Sequence, residues 1–226
     1  IQTRIPWTAS RILGSPEPPS PYVIRRVFQN LSFTNPVEVA FAPGSDRLFV
    51  AELAGKIYSF PNDPASEKPD LFFDAVQQIR GARQVFGLEF HPDYQENHTV
   101  YICYVLRSGL PEGTRVSRFT VTQTDPPRVD ADSEVQLITW LSGGHNGGSL
   151  KFGPDGFLYI STGDAASPNP PDSLKTGQDN SDLLSAILRI DVDRPEAGRN
   201  YGVPADNPFV GLDETMPEIW AFGFRN

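Results

Sequence analysis

Three segments of this chain repeat one pattern, and that repetition limits the fold more than any other feature. Phe41-Ala42-Pro43 precedes Leu48-Phe49-Val50, Phe90-His91-Pro92 precedes Val100-Tyr101-Ile102, and Phe152-Gly153-Pro154 precedes Leu158-Tyr159-Ile160. Each reads as a hairpin: an apolar strand ends at a proline-bearing turn and a β-branched or aromatic strand returns. A further alternating segment follows each copy, at Lys56 to Phe60, Arg115 to Val121 and Ile187 to Val192, so each unit holds at least three strands. The prolines stand 49 and then 62 residues apart, a period that suits four-stranded propeller blades with inserted loops better than a solenoid of shorter repeats. The expected fold class is therefore all-β, a β-propeller with about three blades present. The 22 prolines and 19 glycines among 226 residues fit such a loop-rich fold better than a helical one. Ser181 to Leu188, with Leu183, Leu184, Ile187 and Leu188 on one face, is predicted as a helical turn leading into a strand.

The chain starts at Ile1 and stops at Phe222-Gly223-Phe224-Arg225-Asn226, where another strand pair is expected to begin, so it reads as a fragment. Residues 1–32 read as a lead-in and first strand. Its Ser15-Pro16-Glu17-Pro18-Pro19-Ser20-Pro21 run excludes helix and ladder alike. Residues 33–226 read as the partial propeller, truncated at the C-terminus. A formal net charge of −9 without a basic patch argues against nucleic acid as a partner. No apolar run approaches the ~20 residues that cross a bilayer. Cys103, the single cysteine, sits in the apolar strand Tyr101-Ile102-Cys103-Tyr104 and reads as a buried small hydrophobe.

The third hairpin also carries the chemistry. Because its two arms are of similar length, the polar loops at their outer ends meet, which sets His145 beside Asp164. A histidine takes up a proton near neutral pH, and a carboxylate on its other nitrogen fixes the tautomer and stabilises the imidazolium. Gly143, Gly144, Gly147 and Gly148 are expected to leave space above the imidazole for a flat ligand. The same residues also fit a loop histidine beside an Asn-Gly turn, with Asp164 capping a turn. A hydrolase using Ser142 or Ser149 ranks last, since neither serine lies in a nucleophile elbow. Asp191-Val192-Asp193 lacks the glycine and terminal glutamate of a calcium loop, and no metal site is assigned within the chain.

His145-Asn146-Gly147-Gly148, Phe152-Gly153-Pro154-Asp155-Gly156, Thr162-Gly163-Asp164, Leu188-Arg189-Ile190-Asp191 and Gly223-Phe224-Arg225-Asn226 resemble, in order and spacing, the soluble PQQ-dependent sugar (glucose/aldose) dehydrogenase family. Gly87-Leu88-Glu89-Phe90-His91-Pro92-Asp93 resembles that family's second-blade signature, and the likeness covers about residues 33 to 226. The resemblance implies a six-bladed propeller, of which this chain supplies about the first half, with pyrroloquinoline quinone (PQQ) over the central channel. It implies a calcium ion whose ligands lie beyond Asn226, an aldose substrate, an electron acceptor such as a cytochrome c, and a periplasmic or secreted location. The Asn207-Pro208-Phe209-Val210-Gly211 and Pro217-Glu218-Ile219-Trp220-Ala221 segments look most like family members fused to cytochrome c-type domains, which implies a haem in a downstream domain.

Carried over by position, the resemblance makes His145 the general base for the sugar C1 hydroxyl, Asp164 its orienting carboxylate and Arg225 the cation near the quinone oxygens. Asn226 matches a cofactor contact, and Gln84 stands near the family's quinone-touching turn, close but out of register, beside Arg83. Gly144 departs from the family, which often places an acidic residue just before the histidine. A propeller that kept the scaffold but lost the redox chemistry, serving as a carbohydrate- or protein-binding module, is the alternative. The 226 residues alone are expected to be inactive, because half a propeller leaves open sheet edges.

Overall fold

The computed structural model describes residues 22–225. The proline-dense part of the lead-in and Asn226 lie outside the described residues, and residues 22–35 carry no strand. Twelve strands follow, folded in sequence order into three four-stranded antiparallel sheets. The first sheet holds β1 (Pro36–Phe41), β2 (Arg47–Glu52), β3 (Lys56–Pro61) and β4 (Asp70–Asp74). The second holds β5 (Gln84–Phe90), β6 (Thr99–Val105), β7 (Thr114–Val121) and β8 (Val129–Trp140). The third holds β9 (Gly147–Phe152), β10 (Leu158–Thr162), β11 (Ala186–Ile190) and β12 (Ile219–Phe222). Two four-residue helices, α1 (Ala75–Gln78) and α2 (Tyr94–Asn97), lie in the connections.

The repeated phenylalanine explains why the three sheets are alike. Phe41 pairs with Leu48, Phe90 with Val100 and Phe152 with Leu158, so the last residue of each first strand always faces the first apolar residue of the return. The third strands extend the same rows, through Phe60 opposite Leu48, Phe119 opposite Val100 and Ile190 opposite Leu158. Side chains alternate across each sheet, and the apolar sets fill the spaces between blades. Phe49, Ile57, Phe72, Phe73, Leu88, Phe90 and Ile102 form a core between the first two blades. Cys103, Val116, Trp140, Leu150, Ile160 and Leu188 form a second between the next two. Cys103 is fully buried there, and burial pushes its thiol pKa upward, as expected of a packing residue.

The first strands β1, β5 and β9 neighbour one another, as innermost blade strands must. Lys151 of β9 ties them together, with its Nζ 2.7 Å from Glu89 of β5 and 3.5 Å from Glu38 of β1. Burial raises the Glu89 carboxyl pKa even though Lys151 opposes the shift. Among the described residues no helix is long and apolar enough to cross a membrane.

Two local expectations fail. Ser181 to Ser185 forms bends and a turn rather than a helical turn, because Asp182 Oδ1 accepts the Leu184 N–H at 2.7 Å and competes with helical bonding. The nearest helical residues are a 3₁₀ turn at Thr176–Gln178. Phe222 does not open a new strand pair either: Ile219–Phe222 is the fourth strand of the third sheet, pairing with β11 through Ala186 opposite Phe222.

Candidate active site

His145 lies in the loop that carries the chain from β8 to β9, and Asp164 follows β10. Since Gly147 pairs with Thr162, the residues just outside the hairpin are brought face to face. Two backbone bonds extend the ladder past the strands, from Gly144 N–H to the Ala165 carbonyl (3.0 Å) and from Ala165 N–H to the His145 carbonyl (2.9 Å). The side chains then meet, with His145 Nδ1 2.9 Å from Asp164 Oδ1.

That contact sets the tautomer of the ring. Asp164 Oδ1 also accepts the Ala166 N–H at 2.9 Å. Burial raises the Asp164 carboxyl pKa, but the hydrogen bonds from His145 and Ala166 outweigh it and leave the pKa below its ordinary value. An ionised Asp164 accepts, so His145 Nδ1 carries the proton and Nε2 of the neutral ring is left bare. No described residue hydrogen-bonds Nε2, and the His145 side chain is 19% exposed while Asp164 is 1% exposed.

Arg225 completes the group. Its carbonyl accepts the Asp164 N–H at 3.0 Å, and Gly223 and Phe224 both donate to the Ser185 carbonyl, which holds this segment beside β10 and β11. The Arg225 Nε stands 3.5 Å from Asp164 Oδ2, a buried oxygen without a hydrogen-bond partner, and Nη2 donates to the Pro168 carbonyl at 3.1 Å. With 49% of its side chain exposed, the guanidinium is open to a ligand as well.

The predicted cofactor contacts divide. Gln84 begins β5 at the same end of the sheets, half-buried, and shares no hydrogen bond with His145, Asp164 or Arg225. Arg83 beside it is exposed. Asn226 lies outside the described residues.

The glycines do not leave open space as expected. A Cβ at Gly143 would stand 1.8 Å from the Ala165 carbonyl oxygen, and one at Gly144 would stand 2.2 Å from that of Ala166. At Gly147 it would meet Ser161 and Thr162 backbone at 2.6 Å, and at Gly148 the Cys103 Sγ at 2.6 Å. These residues are glycine because neighbouring chain fills the room a side chain would need. The same packing explains why position 144 carries no acidic side chain.

Other candidates are occupied elsewhere. Ser142 is buried and donates to the Arg107 carbonyl at 2.7 Å, while Ser149 is exposed on β9. Asp191 caps its own turn by accepting the Asp193 and Arg194 N–H groups. Among the described residues no group of three or more His, Cys, Asp or Glu is placed to hold a metal ion.

Sequence reasoning missed the role of Asn146. It is 4% exposed and bonds Gly143, Thr114 and Trp140, and its signals in the sequence were its place in the His145-Asn146-Gly147-Gly148 motif and in the Asn-Gly turn.

The family model described as Glucose / Sorbosone dehydrogenase matches residues 33–226. Hedgehog-interacting protein, from Mus musculus and from Homo sapiens, is 33% identical over 196 residues, spanning 81% of this chain and 28% of that protein. Quinoprotein glucose dehydrogenase B of Acinetobacter calcoaceticus is 24% identical over 226 residues, spanning 88% of this chain and 44% of that one. The solved PQQ-bound form of aldose sugar dehydrogenase from Streptomyces coelicolor shares the propeller fold, with a TM-score of 0.65 at 23% identity over 91% of this chain and 55% of that one. The chain thus spans between about a quarter and about half of the length of these relatives.

Proposed function

The chain belongs to the Glucose / Sorbosone dehydrogenase family, and from that premise we propose that it is part of a PQQ-dependent dehydrogenase that oxidises the C1 hydroxyl of an aldose. One observation carries the reading: a histidine with a bare, accessible Nε2 is held by a buried carboxylate, and a half-exposed arginine stands against that same carboxylate. A base and a cation on one rim suit the reacting edge of a quinone.

PQQ, when bound, supplies the two-electron acceptor for the hydride that leaves the sugar C1 carbon. His145 Nε2 takes the C1 hydroxyl proton as the C1–H bond breaks and the C1–O bond becomes a carbonyl, which yields the lactone. Asp164 holds the ring in the tautomer that can do this and stabilises the imidazolium. Arg225 offers a fixed positive charge where negative charge develops. Arg225 and Gln84, with Asn226, are the residues of this chain assigned to the cofactor. A calcium ion, an electron acceptor such as a cytochrome c, a haem in a downstream domain and a periplasmic or secreted location belong to the same proposal.

The higher identity to Hedgehog-interacting protein favours a second reading, a propeller that serves as a binding module. To test between them, the protein carrying this propeller in full is reconstituted with PQQ and calcium, and dye reduction is followed with a panel of aldoses. Reduction that is lost in His145→Ala, with PQQ still bound, supports the dehydrogenase. No reduction by any aldose removes the enzyme reading and leaves the binding module.

A further inference from the structure

We propose that Asn146 is a positioning residue for His145, and that it works through Thr114 and Trp140 of the neighbouring blade. The inference rests on the reading of His145 as the base. Both backbone polar groups of Gly143 are paired by the Asn146 carboxamide: Oδ1 accepts the Gly143 N–H at 2.8 Å, and Nδ2 donates to the Gly143 carbonyl at 3.0 Å. These two bonds close residues 143 to 146 into a ring that contains His145. Oδ1 accepts a further bond from Thr114 Oγ1 at 3.0 Å, and the Asn146 carbonyl accepts the Trp140 indole Nε1–H at 2.9 Å.

Thr114 and Trp140 are themselves register partners, one on β7 and the other on β8. Two adjacent strands of the second blade therefore reach across to the loop that opens the third. Thr114, Trp140 and Asn146 are all buried, so the network is shielded from competing water.

The ring of His145 needs this support. Its side chain makes one hydrogen bond, to Asp164, and is otherwise open on the Nε2 side. A single bond constrains the imidazole at one atom, while the direction of Nε2 depends on where the backbone puts the Cα. The His145 carbonyl is held by the Ala165 N–H on one side of the peptide, and the Asn146 ring holds the other. Proton transfer requires the base within about 2.6–3.2 Å of the hydroxyl, and a displacement of about 1 Å costs roughly 10²-fold in rate. Asp164 determines which nitrogen carries the proton, whereas Asn146 determines where the bare nitrogen points.

The test compares Asn146→Ala, Thr114→Val and Thr114→Ser in the full protein, with two readouts. The first is the position of the His145 ring 1H–15N NMR signals without cofactor, with those of His91 as internal reference. The second is kcat and KM for an aldose after PQQ reconstitution. Asn146→Ala should lower kcat on the order of 100-fold with the KM little changed, and move the His145 ring NMR signals while those of His91 stay. Thr114→Val should move both readouts in the same direction by less, and Thr114→Ser, which restores the hydroxyl, should return them to the parent values. Unmoved His145 ring signals in folded Asn146→Ala and Thr114→Val overturn the proposal. Should Asn146→Ala not fold, Thr114→Val against Thr114→Ser decides alone. If His145→Ala leaves turnover unchanged, the base assignment falls, and the ring signals still judge the positioning.

Discussion

Two His–Asp pairs of nearly equal length stand among the described residues, 2.9 Å for His145 with Asp164 and 3.0 Å for His91 with Asp193, at opposite ends of the third blade's strands. Their environments are inverted. In the first the carboxylate is buried and the histidine reaches the surface, with exposures of 1% and 19%. In the second the histidine is buried and the carboxylate faces water, at 5% and 60%.

The tautomers are inverted as well. His91 Nδ1 accepts the Asp93 N–H at 3.0 Å, so Nε2 carries the proton and donates to Asp193, and both nitrogens are used. Its ring packs edge-on against Phe152 of the next blade, with centroids 5.3 Å apart. The pair is a strut between blades. A His–Asp distance therefore does not identify a reactive pair. Which partner is buried, and whether the second nitrogen is free, separates the two.

The comparison can be broken most directly at its carboxylates. Asp164→Asn removes the charge that fixes the tautomer, and turnover of the PQQ-reconstituted protein should fall on the order of 10⁴-fold. Asp193→Asn should leave turnover unchanged, and an equal loss from both variants would erase the distinction. Stability inverts the order: His91→Ala should cost about 1–3 kcal/mol in denaturant unfolding because it strips a buried hydrogen-bonded ring. Asp193→Asn, at a partly exposed pair, should cost no more than about 1 kcal/mol.

Gly144→Asp tests the packing behind the proposed reactive pair. If the Ala166 carbonyl fills that space, the substitution should destabilise by about 1–3 kcal/mol and lower turnover. A gain in PQQ affinity would show that an acidic side chain fits there after all. The smallest effect is expected with pH. Asp164 has its folded pKa lowered, so its stabilisation is complete above the ordinary carboxylate value near 4 and is lost as pH falls through the lowered one. The stability gap between parent and Asp164→Asn should therefore close in acid below about pH 4, and a gap that widens there would refute the assignment.

Much of this was legible before the fold was known, for identifiable reasons. The Phe-x-Pro repeat marks a residue whose register is the same in each sheet, so three hairpins and their third strands could be placed. The meeting of His145 and Asp164 follows from a hairpin with matched arms. The fourth strands were less visible. β8 carries Asp130, Asp132, Ser133 and Glu134 at its start, where one edge faces solvent and no apolar alternation is needed. The segment from Phe222 to Asn226 reads in sequence as the start of a new pair, because a short apolar run does not say which edge it joins; Phe222 instead ends β12 of the third sheet. The glycines misled for a related reason, since a missing side chain can mean a space for ligand or a space already taken.

Taken alone, the sequence determined the kind of blade, the number of hairpins and the candidate proton acceptor, because strand period, turn chemistry and arm length are local properties. Tertiary structure decided what fills the space beside Gly143 and Gly144, which nitrogen of each histidine is free, and that Asn146 holds the loop of the third blade to the second. Those outcomes depend on residues distant in the chain, such as Thr114 with Asn146 or His91 with Asp193, whose proximity arises only when the blades pack against one another.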